Sequence, residues 1–169
     1  NLTSDGGRVE LGSVQNGVVG ITTDHTLSYD QSLEFGQILL SEESSIDVSG
    51  NGRVEFQIQG EEIKVRDASI ISGQILGDEG GGNSIIKASE FIKAEGGKPF
   101  ENNIPVILTI SSRIYSFKNI PSLIILSTSG QGDVGNLTVE AESLTLQDGV
   151  LITTTCLLYT SDAADDSGC

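Results

Sequence analysis

The amino-acid sequence predicts an all-β fold built from many short strands. Apolar and polar residues alternate with a spacing of two, for example at Val54, Phe56 and Ile58, and this alternation is typical of a strand with one buried face. Glycine-rich turns such as 80–83 and 130–132 separate these runs. Helical spacing of apolar residues is almost absent, so we expect strands and turns along nearly the whole chain.

The same alternation predicts the core. Because successive side chains of a strand point to opposite faces, the apolar member of each pair should lie inside. We expect these residues to be buried: Val54, Phe56, Ile58, Ile63, Val65, Leu137, Val139, Leu144 and Leu146. We expect the polar residues between them to be exposed: Glu55, Gln57, Lys64, Thr138 and Thr145.

Weak internal repeats favour a solenoid over a closed sandwich. The similar segments are 7–10 with 52–55, 60–72 with 141–153, and 82–83 with 135–136. In the longest pair, apolar residues align with apolar residues and Asp67 aligns with Asp148. The three offsets differ, but each fits a few coils of about 20–27 residues, within the range of solenoid repeats. So small a unit buries its apolar face only by stacking on its neighbours, which predicts a parallel β-helix.

Residues 99–129 are rich in Ile and Leu and need a separate interpretation. Pro105, Arg113, Lys118 and Pro121 interrupt the segment, so no run approaches the roughly 20 apolar residues of a membrane-spanning helix. We therefore expect a chain that does not span a membrane, with this segment forming strands in the interior of the coils.

Charge and composition exclude several classes of partner. The chain has 169 residues and a net charge of −15, with only 9 Lys and Arg. Nucleic-acid binding needs clustered basic residues that neutralise phosphates, so we expect no nucleic-acid partner. An anionic membrane surface is disfavoured for the same reason. Hydrophobic residues make up 37% of the chain, which is enough for a core.

The two ends of the sequence indicate an internal fragment with a foreign tail. The chain starts at Asn1 without a methionine or a signal-peptide pattern. Residues 156–165 read CLLYTSDAAD, which resembles the translated read-through of a transposase-derived sequencing adapter. We therefore divide the chain into a native part, 1–155, and a non-native tail, 156–169. Both cysteines, Cys156 and Cys169, lie in that tail, so no disulfide framework or thiol site is expected.

A glycine motif and a single histidine are the first candidates for a site. Gly130, Gly132 and Gly135 fit the G-x-G-x-x-G pattern, and Asp148 follows at about the spacing of a dinucleotide fingerprint. That fingerprint needs a helix after the glycines, whereas the next residues alternate like a strand, so we interpret the motif as a turn. His25 is the only histidine, and we expect it in a loop rather than in a metal site or a catalytic triad.

Carboxylates are the other candidates. The turn regions carry Asp24, Asp30, Asp47, Asp67, Asp78, Asp133 and Asp148. Enzymes that cleave polysaccharides need such groups close together, but no Asp-Asp or D-x-D pair occurs before the tail. Satisfying turn amides is the simpler role, and the glycan-acceptor patterns at Asn1 and Asn136 are treated as chance matches. We predict no catalytic residue, no cofactor-binding residue and no metal ligand.

Four segments in order, GGRVELGSV (6–14), 33–52, 54–71 and PSLIILSTSGQGDVGNLTVEAESLTLQDG (121–149), carry a resemblance to a known family. They resemble the large exoproteins of the filamentous haemagglutinin type, and most closely the cyanobacterial ones exported by two-partner secretion. The resemblance implies a right-handed parallel β-helix, an outer-membrane transporter as partner, and an extracellular or cell-surface location.

The expected function is a structural, non-enzymatic shaft segment of a secreted, adhesin-like surface exoprotein. Stacked coils would hold a rigid rod away from the cell, and exposed faces would contact a cell surface or a carbohydrate. One alternative is a polysaccharide lyase or hydrolase on the same fold. A second alternative is a surface-layer stalk module without a ligand.

Overall fold

All regular structure in the described residues is β-strand. The computed structural model describes residues 1–30, 32–99, 106–110 and 113–156, and within these ranges it contains no helix. The seventeen strands are β1 Leu2–Thr3, β2 Arg8–Gly12, β3 Val14–Asn16, β4 Gly20–Ile21, β5 Leu27–Ser28, β6 Glu34–Phe35, β7 Ile38–Leu40, β8 Ser45–Asp47, β9 Glu55–Val65, β10 Ile70–Ile75, β11 Asn83–Glu95, β12 Val106–Ile110, β13 Arg113–Phe117, β14 Ser122–Thr128, β15 Asn136–Glu140, β16 Ser143–Gln147 and β17 Val150–Cys156.

Two sheets with parallel pairing form the body of the molecule. Sheet 1 has the order β1-β8-β10-β14-β17, and every neighbouring pair in it is parallel. Its register places Ile46 beside Ile71, then Ile124, then Ile152. Four isoleucine side chains therefore lie in one row across the sheet.

Sheet 2 is also parallel and contains two long strands, β9 and β11, that each pair with several shorter ones. The first half of β9 pairs with β2 and the second half with β7, while β11 pairs with β15 and then β16. The register between β9 and β11 shifts between Ala88 and Phe91, which marks an irregularity that divides β11 into two halves. The expected all-β fold with parallel sheets is therefore confirmed.

Two insertions interrupt the parallel pairing without disturbing its register. The first insertion, residues 13–36, contains the antiparallel pairs β3–β6 and β4–β5. The second insertion, residues 98–120, contains the antiparallel pair β12–β13. Ile63 pairs with Ile92, and Ile92 pairs in turn with Leu144. Ile92 and Leu144 are farther apart in sequence than Ile63 and Ile92, and the difference equals the length of the second insertion. The strands after the insertion therefore pair in the same register as the strands before it.

The repeat alignments are tested directly by this register. The alignment of 60–72 with 141–153 is confirmed, because Ile63 and Leu144 both pair with Ile92. The alignment of 82–83 with 135–136 is confirmed as well, since Asn83 pairs with Asn136. The alignment of 7–10 with 52–55 is wrong by two positions, because Arg8 pairs with Glu55. A shift of two preserves the inward and outward faces, so the alternation alone does not reveal the error.

The core consists of rows of aliphatic side chains facing inward from both sheets. Ile46, Ile71 and Ile124 are almost fully buried in sheet 1, as are Ile63 and Ile92 in sheet 2. Burying one such side chain contributes about 1.5–3 kcal/mol. Because each row continues from strand to strand, stacking supplies a core that no single strand could form.

The predicted burial pattern is confirmed for the central strands and wrong for the last ones. Val54, Phe56, Ile58, Ile63 and Val65 are buried, while Leu137 and Val139 are half-buried. Two predicted core residues are exposed: Leu144 at 49% and Leu146 at 47%. They point inward from β16, but in the described chain β16 pairs only with β11, so nothing covers their other side. Of the predicted outer residues, Thr138 and Thr145 are exposed, and Glu55, Gln57 and Lys64 are half-buried.

The interpretation of residues 99–129 as strands in the interior is only partly correct. β14 lies inside sheet 1, and its Ile124 and Leu126 are buried. By contrast, among the described residues β12 and β13 pair only with each other in the second insertion, where Ile114 is 74% exposed. Nowhere in the described ranges is there a helix of sufficient length and apolarity to cross a membrane.

The final strand reaches the first residue of the tail that was expected to be foreign. Cys156 ends β17 and is disulfide-bonded, which the sequence did not lead us to expect. The rest of that tail, 157–169, lies outside the described residues.

Candidate functional site

The first insertion folds back over the outer face of sheet 2. Its base is closed by the Gly36 amide, which donates to the Ser13 carbonyl at 2.8 Å, and the Ser13 amide donates to the Gln59 carbonyl at 3.0 Å. Farther along, the Leu27 amide donates to Glu10 Oε2 at 2.5 Å. These bonds join both ends and the middle of the insertion to β2 and β9, so its position on the sheet is fixed.

Two aromatic rings of the insertion lie against the sheet. The centroids of Tyr29 and Phe35 are 5.7 Å apart with the ring planes tilted by 50°, a separation favourable for aromatic pairs. The Tyr29 ring occupies the space above Gly12, because a Cβ at that position would lie 2.8 Å from Tyr29 Cε1. Burial, followed by the negative charge of Glu10, raises the pKa of the Tyr29 hydroxyl above its usual value.

A cleft of about 610 Å³ lies beside these rings, over the outer face of sheet 2. Its floor is formed by outward side chains of three neighbouring strands: Gln57 and Gln59 from β9, Ile85 and Lys87 from β11, and Glu140 from β15. They point outward because they alternate with the inward-facing Ile58 and Ile86. Lys87 Nζ lies 2.9 Å from Glu140 Oε2, so the single basic group of the cleft is paired with an acid.

The cleft combines hydrogen-bonding groups with apolar area. Glutamine amides donate and accept hydrogen bonds, and the aromatic rings supply apolar area. Gln57 Oε1 already accepts a hydrogen bond from Arg8 Nη2 at 3.0 Å, which orients its amide. Among the described residues, no group of three His, Cys, Asp or Glu side chains is placed to hold a metal ion.

The structure distributes the seven candidate aspartates over separate regions. Asp67 and Asp148 lie in turns that lead from sheet 2 to sheet 1, each with a φ of 56°. Asp78 and Asp133 lie in turns that lead from sheet 1 to sheet 2, and Asp47 lies in β8. Of the seven, only Asp30 lines the cleft; Asp24 belongs to the turn between β4 and β5.

Three carboxyl groups have pKa values that are shifted toward the charged form. The pKa of Asp24 is lowered, mainly by a hydrogen bond from the Thr22 hydroxyl. Burial raises the pKa of Asp47, but hydrogen bonds from Ser49 and Ser72 outweigh burial, and the net shift is downward. The pKa of Glu95 is lowered mainly by Lys93. A general acid working near neutral pH needs a raised pKa, so these three groups are unsuited to that role.

The glycine motif is explained by close stacking of successive turns. A Cβ on Gly132 would lie 2.5 Å from the Gly80 nitrogen, and a Cβ on Gly130 would collide with the Gly77 carbonyl. Gly135 has a φ of +75°, which favours glycine. The motif lies between β14 and β15. Its interpretation as a turn is therefore confirmed, because a strand follows the glycines where a dinucleotide fold has a helix.

The remaining candidates have structural surroundings. His25 is exposed in the turn between β4 and β5, and its amide donates to the Thr22 carbonyl at 3.1 Å. Asn1 Oδ1 accepts a hydrogen bond from the Ser45 amide at 3.1 Å. Asn136 Nδ2 donates to Asn83 Oδ1 at 3.0 Å, which links equivalent positions of two neighbouring strands.

Sequence reasoning missed the cleft. Two local signals mark it: the alternation stops after Gly12, and the segment that follows carries the aromatic residues Tyr29 and Phe35. Gln57 lies on the outer face, as the alternation predicts, but nothing in the sequence indicates that residues 13–36 return to cover it.

Comparison with known proteins finds no match for this chain. No protein-family profile matches it, no curated protein is similar to it at a significant level, and no solved structure matches its fold.

Proposed function

We propose that the chain is a segment of a right-handed parallel β-helix that serves as a non-enzymatic shaft in a secreted, surface-displayed exoprotein. In this proposal β8, β9 and β10 make one coil, and β10, β11 and β14 make the next. The expected exporting partner is an outer-membrane transporter of the two-partner type.

The continuous inward rows are the observation that carries the proposal. Ile38, Ile63, Ile92 and Leu144 follow one another in register across four strands. Ile46 and Ile71 are neighbours in sheet 1, and the chain between them passes once through sheet 2 as β9, which makes one circuit through both sheets. Right-handedness is supported by the general rule that a connection between parallel strands of one sheet is right-handed in about 98% of cases.

The distribution of charge supports a role without catalysis. Asp78 and Asp133 lie in turns that stack on each other, but the other five candidate aspartates are spread over other turns, a strand and the first insertion. A glycosidic acid and base must lie roughly 5–10 Å apart. We therefore expect residues 1–155 to release no reducing ends from soluble polysaccharides; release that disappears when a candidate aspartate is changed to asparagine would favour the enzyme alternative.

The coil geometry is tested by a distance measurement in solution. Asp47, Ser72, Ile125 and Thr153 lie in register on the outer face of sheet 1. Neighbouring strands are about 4.8 Å apart, so backbone positions 47 and 153 should be separated by about 14 Å. Spin labels at those two positions should report this short distance, and a broad distribution extending to more than twice that value would contradict the stacked arrangement. Because Asp47 accepts hydrogen bonds, labels at Gln74 and Thr155 provide a second pair.

The adhesin role is supported by the family resemblance of residues 6–14, 33–52, 54–71 and 121–149. Beads coated with residues 1–155 should adhere to cells more strongly than beads coated with the same chain after thermal denaturation. Equal adhesion of both preparations would favour the stalk alternative.

A further inference from the structure

We propose that the cleft between the first insertion and sheet 2 binds a neutral oligosaccharide. The inference deepens the proposed shaft function and rests on it, because the cleft exists only where the insertion lies on the outer face of stacked strands. Its volume of about 610 Å³ falls in the range of about 300–1,000 Å³ that is usual for small-ligand sites.

The aromatic wall matches the apolar faces of sugar rings. Tyr29 and Phe35 are half-buried and line the cleft, so part of each ring faces the open space. The insertion is fixed at its base and at Leu27, so the rings are held in place before a ligand arrives. Prepositioned rings lose little conformational entropy on binding.

The floor of the cleft matches sugar hydroxyl groups. Gln57 and Gln59 both present amide groups, and each amide offers donors and an acceptor. A hydroxyl group likewise donates and accepts, so a polyol satisfies both kinds of group, whereas an anion satisfies only the donors. Lys87 is already paired with Glu140 at 2.9 Å, so an anionic sugar would have to compete with a carboxylate.

Other classes of macromolecule fit the cleft less well. An extended peptide binds a sheet by adding a strand to an unpaired edge. Four of the five floor residues lie on β9 and β11, which are paired on both sides, and only β15 at the rim of the cleft has an open edge among the described strands. Nucleic acid is opposed by the net charge of −15. A neutral oligosaccharide needs no open sheet edge and is not repelled by the negative charge of the chain.

Isothermal titration of the full chain with cellohexaose, chitohexaose and mannohexaose provides the test. At least one of these neutral hexasaccharides should bind in the micromolar to low-millimolar range. Tyr29→Ala should weaken that binding about fivefold or more, as truncation of an anchoring aromatic commonly does. Tyr29→Phe retains the aromatic ring and should therefore bind more tightly than Tyr29→Ala.

Two further variants keep the proposal testable if Tyr29→Ala unfolds the insertion. Gln59→Ala should weaken binding at least twofold, whereas Gln74→Ala, an outward glutamine of β10 away from the cleft, should bind normally. Absence of binding to all three sugars overturns the proposal, and so does equal binding by Gln59→Ala and Gln74→Ala. If the spin-label distances support the stacked strands while no sugar binds, only this inference fails; if those distances are long and broad, the shaft proposal fails as well.

Discussion

Replacing Ile92 by alanine should destabilise the protein far more than replacing Leu144, although the two residues are neighbours in one inward row. Ile92 is 1% exposed in β11, with strands on both sides, whereas Leu144 is 49% exposed in β16. We expect Ile92→Ala to cost about 2–5 kcal/mol, because it removes transfer free energy and leaves a cavity.

The corresponding loss for Leu144→Ala should be about 1 kcal/mol or less, because complete burial of a leucine side chain contributes only about 1.5–3 kcal/mol. About half of the Leu144 side chain is already in contact with water, and an open edge leaves no enclosed cavity. The unequal effects of these two substitutions correct the expectation from alternation alone, which places Leu144 in a packed interior.

Urea unfolding followed by far-UV circular dichroism measures both variants against residues 1–155. The difference in midpoint, multiplied by a common slope, gives the free-energy change, provided that the transition is two-state. Equal losses for the two variants would refute the reasoning, because Leu144 would then be as well covered in solution as Ile92. The outward substitution Thr145→Ala in β16 is the control and should change the stability by less than about 0.5 kcal/mol.

Three other perturbations have defined outcomes. Gly132→Ala should cost about 1–3 kcal/mol, because its Cβ would lie 2.5 Å from the Gly80 nitrogen; thermal unfolding measures the loss, and an unchanged midpoint would mean that successive turns are not closely stacked. The pKa of Asp47 is lowered in the folded protein, so its carboxylate stabilises the fold at pH values above the unfolded pKa of about 3.9. This stabilisation is lost as the pH falls through the pKa of the folded protein. Asp47→Asn should therefore lower stability at pH 7 and reduce its dependence on pH below about 4, as followed by urea unfolding at several pH values. Removing residues 156–169 should leave the free energy of unfolding unchanged within about 1 kcal/mol, as is common for chain termini; a larger loss in urea unfolding would mean that the tail packs on the fold.

The sequence predicts the fold well where local chemistry determines structure. Asp67 and Asp148 align because both occupy turns with a φ of 56°, and aspartate tolerates that conformation. From such a turn the alternation of the next strand follows directly, so Ile70 and Leu151 align as well. These features depend on residues that are close together in the sequence and can therefore be predicted from it.

Burial at the edge strand and the cleft depend on contacts between residues far apart in the sequence. Leu146 has the same alternation as Val65, but it is exposed because no described strand pairs with the outer edge of β16. Tyr29 reaches the sheet because Gly12 leaves room for its ring. Neither fact follows from the spacing of apolar residues, which reports the face of a strand and not its neighbours.

The insertions have a consequence for how the surface can vary. The strands resume the same register after the second insertion, as the pairing of Ile92 with Leu144 demonstrates. In that arrangement an inserted loop changes the free energy of folding mainly through the entropy of closing the loop. Doubling the loop length costs only about 0.6 kcal/mol. Segments at residues 13–36 and 98–120 can therefore be lengthened, shortened or exchanged while the rows of buried isoleucines remain intact. The molecule thus separates a regular stack of strands from exchangeable surface segments, which makes these two positions suitable for grafting foreign binding loops.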